Sequence, residues 1–176
     1  MFRVIIFFFI ILKVSISYAQ GYDVYGIGIY DVKFDGSSSK NATDIRYERR
    51  FDNTIIDIGP EQDNFFYLKP FAGIELTSDS AFYLISGIYL EDNIGDLFTG
   101  KDNNWNLTPS FGVGYYDDGD GKKLGNKIEF RTTLEFSYQL VNKDRIGISL
   151  GHISNANIGN KNPGAEIITI SYQKPF

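Results

Sequence analysis

The chain has no cysteine, and beyond its first residues it has no long hydrophobic run and no convincing helical stripe. Without cysteine there can be no disulfide, so an exported chain of this kind must be stabilised by packing or by a membrane. Nothing after the N-terminus approaches the ~20 consecutive apolar residues of a membrane helix. Bases are outnumbered, 17 against 22 acids, and they are scattered. That balance argues against a nucleic-acid partner. Aromatics and glycine are plentiful: 12 Tyr, 15 Phe and 18 Gly in 176 residues.

The one apolar run belongs to the first nineteen residues. Arg3 precedes an apolar stretch from Val4 to Leu12, and Ser17-Tyr18-Ala19 fits a small-x-small cleavage site. This pattern predicts a secretory signal peptide over 1–19. Its removal costs two bases and no acid, taking the net charge from −5 to −7. The remaining 20–176 suits one domain.

Period-two alternation recurs along that domain. Ile128, Phe130, Thr132, Leu134, Phe136, Tyr138 and Leu140 alternate with Glu129, Arg131, Thr133, Glu135, Ser137 and Gln139. Ile146, Ile148, Leu150 and His152 alternate with glycines and Ser149. Ile168, Ile170, Tyr172 and Phe176 alternate with Thr169, Ser171 and Gln173, and Leu107 to Tyr115 behaves alike. Weaker patterns predict strands over 22–34, 43–51, 68–77 and 81–90, for eight strands in all. Turn-rich stretches separate them, while 52–67 and 91–104 have no clear assignment.

Long strands with one apolar and one polar face fit a soluble barrel or sandwich, or an outer-membrane barrel turned inside out. Three features favour the second. Opposite charges occur in mid-strand (Glu129, Arg131, Glu135). Tyrosines 22, 115, 116, 138 and 172 fall near strand ends, where an interfacial girdle belongs. The chain ends on Phe176. The predicted fold is an all-β, eight-stranded antiparallel transmembrane β-barrel of the outer-membrane type.

One segment breaks the pattern. His152, the chain's lone histidine, stands two residues before Ser154, and Glu166 follows twelve residues after the serine. A base, a hydroxyl and an acid are the components of acyl-transfer chemistry. Residues of equal parity share a strand face, so His152, Ser154 and Glu166 continue the apolar, lipid-facing series. The segment 155–165 then joins two antiparallel strands and returns Glu166 towards His152. With an even strand number both termini are periplasmic and this last loop is extracellular. A lipid-facing serine hydrolase there meets the lipopolysaccharide leaflet and the esters of lipid A. The plainer reading is a hydrogen-bonded structural histidine beside ordinary Ser-Asn, Gly-Asn and Asn-Pro-Gly turns. Against it stands the cost of placing isolated polar groups among acyl chains.

The stretch from Gly112 to Phe176 resembles the PagL family of outer-membrane lipid A 3-O-deacylases. The resemblance rests on Gly114-Tyr115-Tyr116, Gly119-Asp120-Gly121-Lys122, Leu124-Gly125, Glu129-Phe130-Arg131, His152-Ile153-Ser154-Asn155-Ala156 and Asn162-Pro163-Gly164-Ala165-Glu166. It implies Ser154 as nucleophile, His152 as general base and Glu166 as the acid orienting the imidazole. It further implies Asn162 as the oxyanion donor, Asn155 as a helper that donates its amide or shapes the loop, and Phe130 as a flank of the acyl groove. The implied partners are lipid A (lipopolysaccharide) and outer-membrane lipids, with no cofactor or metal and with a homodimer as a candidate assembly. Two other readings remain open: a non-catalytic outer-membrane barrel with adhesion or interaction loops, and a soluble periplasmic lipid-binding barrel.

Overall fold

The structure, a computed structural model, describes residues 20–34, 41–59, 66–95 and 103–176. The signal-peptide segment 1–19 lies outside the described residues, as do parts of the unassigned stretches 52–67 and 91–104. The strands are β1 (Gly21–Val32), β2 (Ala42–Phe51), β3 (Ile56–Asp57), β4 (Tyr67–Thr77), β5 (Phe82–Tyr89), β6 (Asp92–Asn93), β7 (Trp105–Asp117), β8 (Ile128–Gln139), β9 (Arg145–Ser154) and β10 (Ala165–Pro175). Eight are long. Every pairing is antiparallel, running β2-β1-β10-β9-β8-β7-β5-β4, and the pairing of β2 with β4 closes the circle. Closure removes the free edges that a lipid-exposed sheet could not tolerate. The two-residue strands β3 and β6 pair alongside the first residues of β4 and β7, at the end that carries the chain termini.

The alternation sorts the residues as its period requires. Ile27, Ile45, Leu84, Phe136, Ile148 and Ile170 point outward and are exposed, while Arg46, Glu48, Arg50, Glu75, Arg131 and Glu135 point inward and are buried. Along β9 the contrast is sharpest, with Leu150 50 % exposed and Ser149 3 %. An apolar exterior around a charged interior is the inverse of a soluble barrel and marks a wall facing lipid.

The lumen is filled and ion-paired. Arg131 reaches Glu48 and Glu75. Arg50 bonds Glu135 at 2.6 Å and Glu48 at 3.1 Å. Gln173 donates to Glu135 at 2.8 Å, and Arg46 to Ser149 at 3.1 Å. Glycines on the inward face make room for these chains. A Cβ on Gly73 would lie 2.8 Å from Glu48 Cγ, and one on Gly147 would lie 2.7 Å from Ser171 Oγ. Towards the other end the interior turns apolar, with Tyr30, Tyr83, Tyr116, Leu124, Ile153 and Ile167 packed together.

The tyrosine girdle is narrower than the sequence suggests. Tyr115, Tyr138 and Tyr172 are outward, but Tyr116 is buried and donates to the Lys122 carbonyl at 2.8 Å. Tyr22 is half-buried, with the Arg145 guanidinium 4.1 Å from its ring centroid. Consecutive tyrosines must face opposite ways on a strand, so the pair 115–116 could supply only one girdle residue.

Candidate active site

The far end of β9 and the start of β10 build the site on the outer wall. In the register between them His152 stands opposite Glu166, and Ile153 opposite Ala165. On the other side of β9, Ser154 pairs with Phe130 and His152 with Thr132 of β8. The row Val32, Glu166, His152, Thr132 therefore crosses four neighbouring strands. Ile153, Ala165 and Ile167, of the opposite parity, are buried in the apolar end of the lumen and anchor the wall from behind.

His152 Nδ1 lies 3.1 Å from Glu166 Oε1, and both side chains are partly exposed on the outer face. Ser154 shares a groove of about 270 Å³ with His152, Phe111, Phe130, Thr132 and Ala156. Among the described residues no hydrogen bond joins Ser154 Oγ to the imidazole. Alternate residues of a strand are about 6.8 Å apart, so the two side chains are neighbours on one face. A second, mainly apolar groove of about 380 Å³ runs from His152 and Glu166 past Leu150 and Leu134 to Pro109. Phe130 stacks on Phe111 at 6.0 Å between ring centroids, with planes 14° apart, and forms the first groove's aromatic wall.

The loop after β9 is held by two asparagines. Asn155 is fully buried, and its amide donates to the carbonyls of Leu124 (2.9 Å) and Lys161 (2.8 Å). Its Oδ1 accepts from Asn157 N at 3.0 Å. One amide proton thus ties this loop to the β7–β8 connection and the other closes the loop on itself, which supports the loop-shaping alternative for Asn155. Asn162 Oδ1 accepts from Asn155 N at 3.0 Å. A backbone N–H can be met only by an oxygen, so the orientation of that amide is decided. Its Nδ2 has no partner among the described residues.

Three features are not evident from residue spacing. Phe111 and Thr132 line the groove, though the alternation assigns them only an outward face. Ala156 and Asn157 adopt positive φ, 51° and 63°, which turns the chain off the strand directly after Asn155. Gly164, at φ +56°, packs against the histidine; a Cβ there would stand 2.7 Å from His152 Cε1.

Comparison with known proteins points to one family. The sequence model of the family described as lipid A 3-O-deacylase (PagL) matches residues 87–175, just over half of the chain. A lipid A deacylase PagL from Bordetella bronchiseptica (strain ATCC BAA-588 / NCTC 13252 / RB50) is 33 % identical over 55 residues, which is 31 % of each protein. This aligned segment thus spans about a third of that relative's length. In solved structures, the fold resembles the crystal structure of the outer-membrane enzyme PagL with a TM-score of 0.66 at 15 % identity, covering 88 % of this chain and 99 % of that one. It also resembles a de novo designed transmembrane β-barrel with a TM-score of 0.59 at 11 % identity, covering 90 % and 96 %. An inverted eight-stranded barrel, a histidine and a carboxylate paired on its lipid-facing wall, and the match over 87–175 together establish that the chain belongs to the PagL family of lipid A 3-O-deacylases.

Proposed function

We propose that this protein is an outer-membrane serine esterase that removes the 3-O-linked hydroxyacyl chain of lipid A, with Ser154, His152 and Glu166 as its triad. The observation that carries this reading is the His152–Glu166 pair at 3.1 Å, set on the lipid side of the wall beside the serine-bearing groove. Both termini lie at the opposite end from the site. Periplasmic termini therefore put the site level with the outer leaflet, where lipid A lies.

Each residue's part follows from its position. A proton on His152 Nδ1 donated to Glu166 leaves Nε2 as the base. Nε2 takes the Ser154 proton as Oγ attacks the ester carbonyl. The tetrahedral intermediate collapses, the ester C–O bond breaks, and the proton passes from His152 to the departing sugar oxygen. Water activated by the same imidazole then cleaves the acyl-enzyme and releases a 3-hydroxy fatty acid. Asn162, whose amide is engaged only through its oxygen among the described residues, is assigned to the oxyanion through Nδ2, a contact worth on the order of 3 kcal/mol. Phe130 and Phe111 bound the groove in which the acyl chain lies, and Asn155 keeps the Asn162 loop in place.

The test is mass spectrometry of lipid A from a host lacking such an enzyme, expressing this chain. Wild type should remove the mass of one hydroxyacyl group. Ser154→Ala and His152→Ala should each lower the rate by on the order of 10⁴-fold or more, while remaining folded, heat-modifiable barrels. Glu166→Ala should cost less. Near-wild-type activity of Ser154→Ala would remove the triad, and an unchanged lipid A profile with wild type would favour the adhesion-barrel reading.

A further inference from the structure

Beside the site, on the strand after Glu166 in the row, stands a cation cluster that the triad does not use. Val32 of β1 is the register partner of Glu166, and Lys33 follows it directly. Lys33 Nζ lies 3.3 Å from Asp31 Oδ1, and Lys122 Nζ bonds the same oxygen. Two ammonium groups share one carboxylate, and the Glu166 carboxylate acts on Lys33 from the neighbouring strand. Adjacent strands are about 4.8 Å apart, so Val32, the residue before Lys33, stands about 10 Å from His152 along the row.

The cluster is built rather than incidental. Asp31 is buried at φ +59°, where a bulge interrupts the pairing of β1 with β10 between Tyr30 and Val32. Tyr30 OH donates to Tyr116 OH at 3.2 Å, and Tyr116 OH donates to the Lys122 carbonyl at 2.8 Å. A buried chain of two tyrosines therefore fixes the segment carrying Lys122 against the strand carrying Asp31. Burial, and secondarily the Lys33 ammonium, push the Lys122 amine below the ordinary lysine range against the pull of Asp31. A second anion would relieve that tension. The nearby Lys127 differs, being matched by Asp117 at 2.7 Å and Asp118 at 3.4 Å.

We infer that Lys33 and Lys122 form an anion subsite that takes a phosphate of the substrate's glucosamine headgroup and so sets which ester reaches Ser154. This rests on the proposed lipid A substrate, and a phosphate on the sugar is the anion available at this depth. Two lysines held on one carboxylate present converging donors to a tetrahedral anion.

Binding can be tested apart from turnover by using the full chain carrying Ser154→Ala in detergent micelles. Its affinity is measured for phosphorylated lipid A and for the same lipid with both phosphates removed. The phosphorylated form should bind about tenfold more tightly, the scale of one charge-assisted contact. Lys33→Gln/Lys122→Gln should abolish that preference without changing affinity for the dephosphorylated lipid, and Lys33→Arg/Lys122→Arg should restore it. Lys123→Gln/Lys161→Gln, on the loops at the same end, should leave it intact. A folded Lys33→Gln/Lys122→Gln barrel that keeps the preference would overturn the subsite, as would its loss in the Lys123/Lys161 variant. Displacement of the lipid by inorganic phosphate as effectively as by phosphorylated lipid would mark a free-anion site and overturn the headgroup assignment. Wild-type chain that binds with the preference but never deacylates would instead refute the esterase reading and spare the subsite.

Discussion

Gly164 has the clearest case for a role beyond turn formation. At φ +56° it occupies backbone space that L side chains rarely take, and a Cβ would press on His152 Cε1 at 2.7 Å. Gly164→Ala would strain the backbone by about 1–2 kcal/mol and push the imidazole out of line with Glu166. A displacement of this kind costs tenfold or more in rate, so kcat should fall at least about tenfold with KM little changed and the barrel still heat-modifiable. Steady-state kinetics on detergent-dispersed lipid A would decide it, and an unchanged kcat would mean that the imidazole is not held by this contact. The residues of the proposed triad were legible because parity alone puts His152, Ser154 and Glu166 on one face. Asn155 was not. Its burial depends on the Leu124 carbonyl, 31 residues away on another loop, which no local pattern encodes.

At the scale of the strand, the sequence was informative wherever one face is uniformly apolar. β8 was expected over 128–140 and is Ile128–Gln139, and the eight long strands all fall where alternation or turn residues placed them. β3 and β6 escaped because two residues have no period to read, and their pairing with Leu68, Tyr67, Leu107 and Asn106 is tertiary. The sidedness of β9 gives an expected outcome. Leu150→Cys should react with a lipid-soluble maleimide and resist a membrane-impermeant one. Ser149→Cys, packed beside Arg46 in the lumen, should react with neither until the barrel is heat-denatured. Labelling of Leu150→Cys by the impermeant reagent alone would place that face in water and contradict the lipid-facing wall.

Across the whole molecule, the ion-paired interior and the proposed site on the outside are separated by the thickness of one strand. The mid-strand charges of β8 announced a polar lumen, but not that it would be packed shut, since the partners of Arg131 come from β2 and β4. Arg131 is buried and, among the described residues, is the cation paired with Glu75, while Glu48 also has Arg46 and Arg50 nearby. Replacing Arg131 with methionine leaves the Glu75 carboxylate in the lumen without that compensation. Breaking one side of such a pair costs about 3–5 kcal/mol, which should lower the temperature at which the barrel loses its compact gel mobility by many degrees. Adding Glu75→Gln to Arg131→Met should recover part of the loss, because the uncompensated charge is then gone. Below the transition both variants should deacylate lipid A at close to the wild-type rate, as His152, Ser154 and Glu166 stand on the opposite face of the wall. A single variant as heat-stable as wild type would mean that the lumen admits enough water to solvate Glu75, and that closure of the strands, not the ion-pair network, holds the barrel.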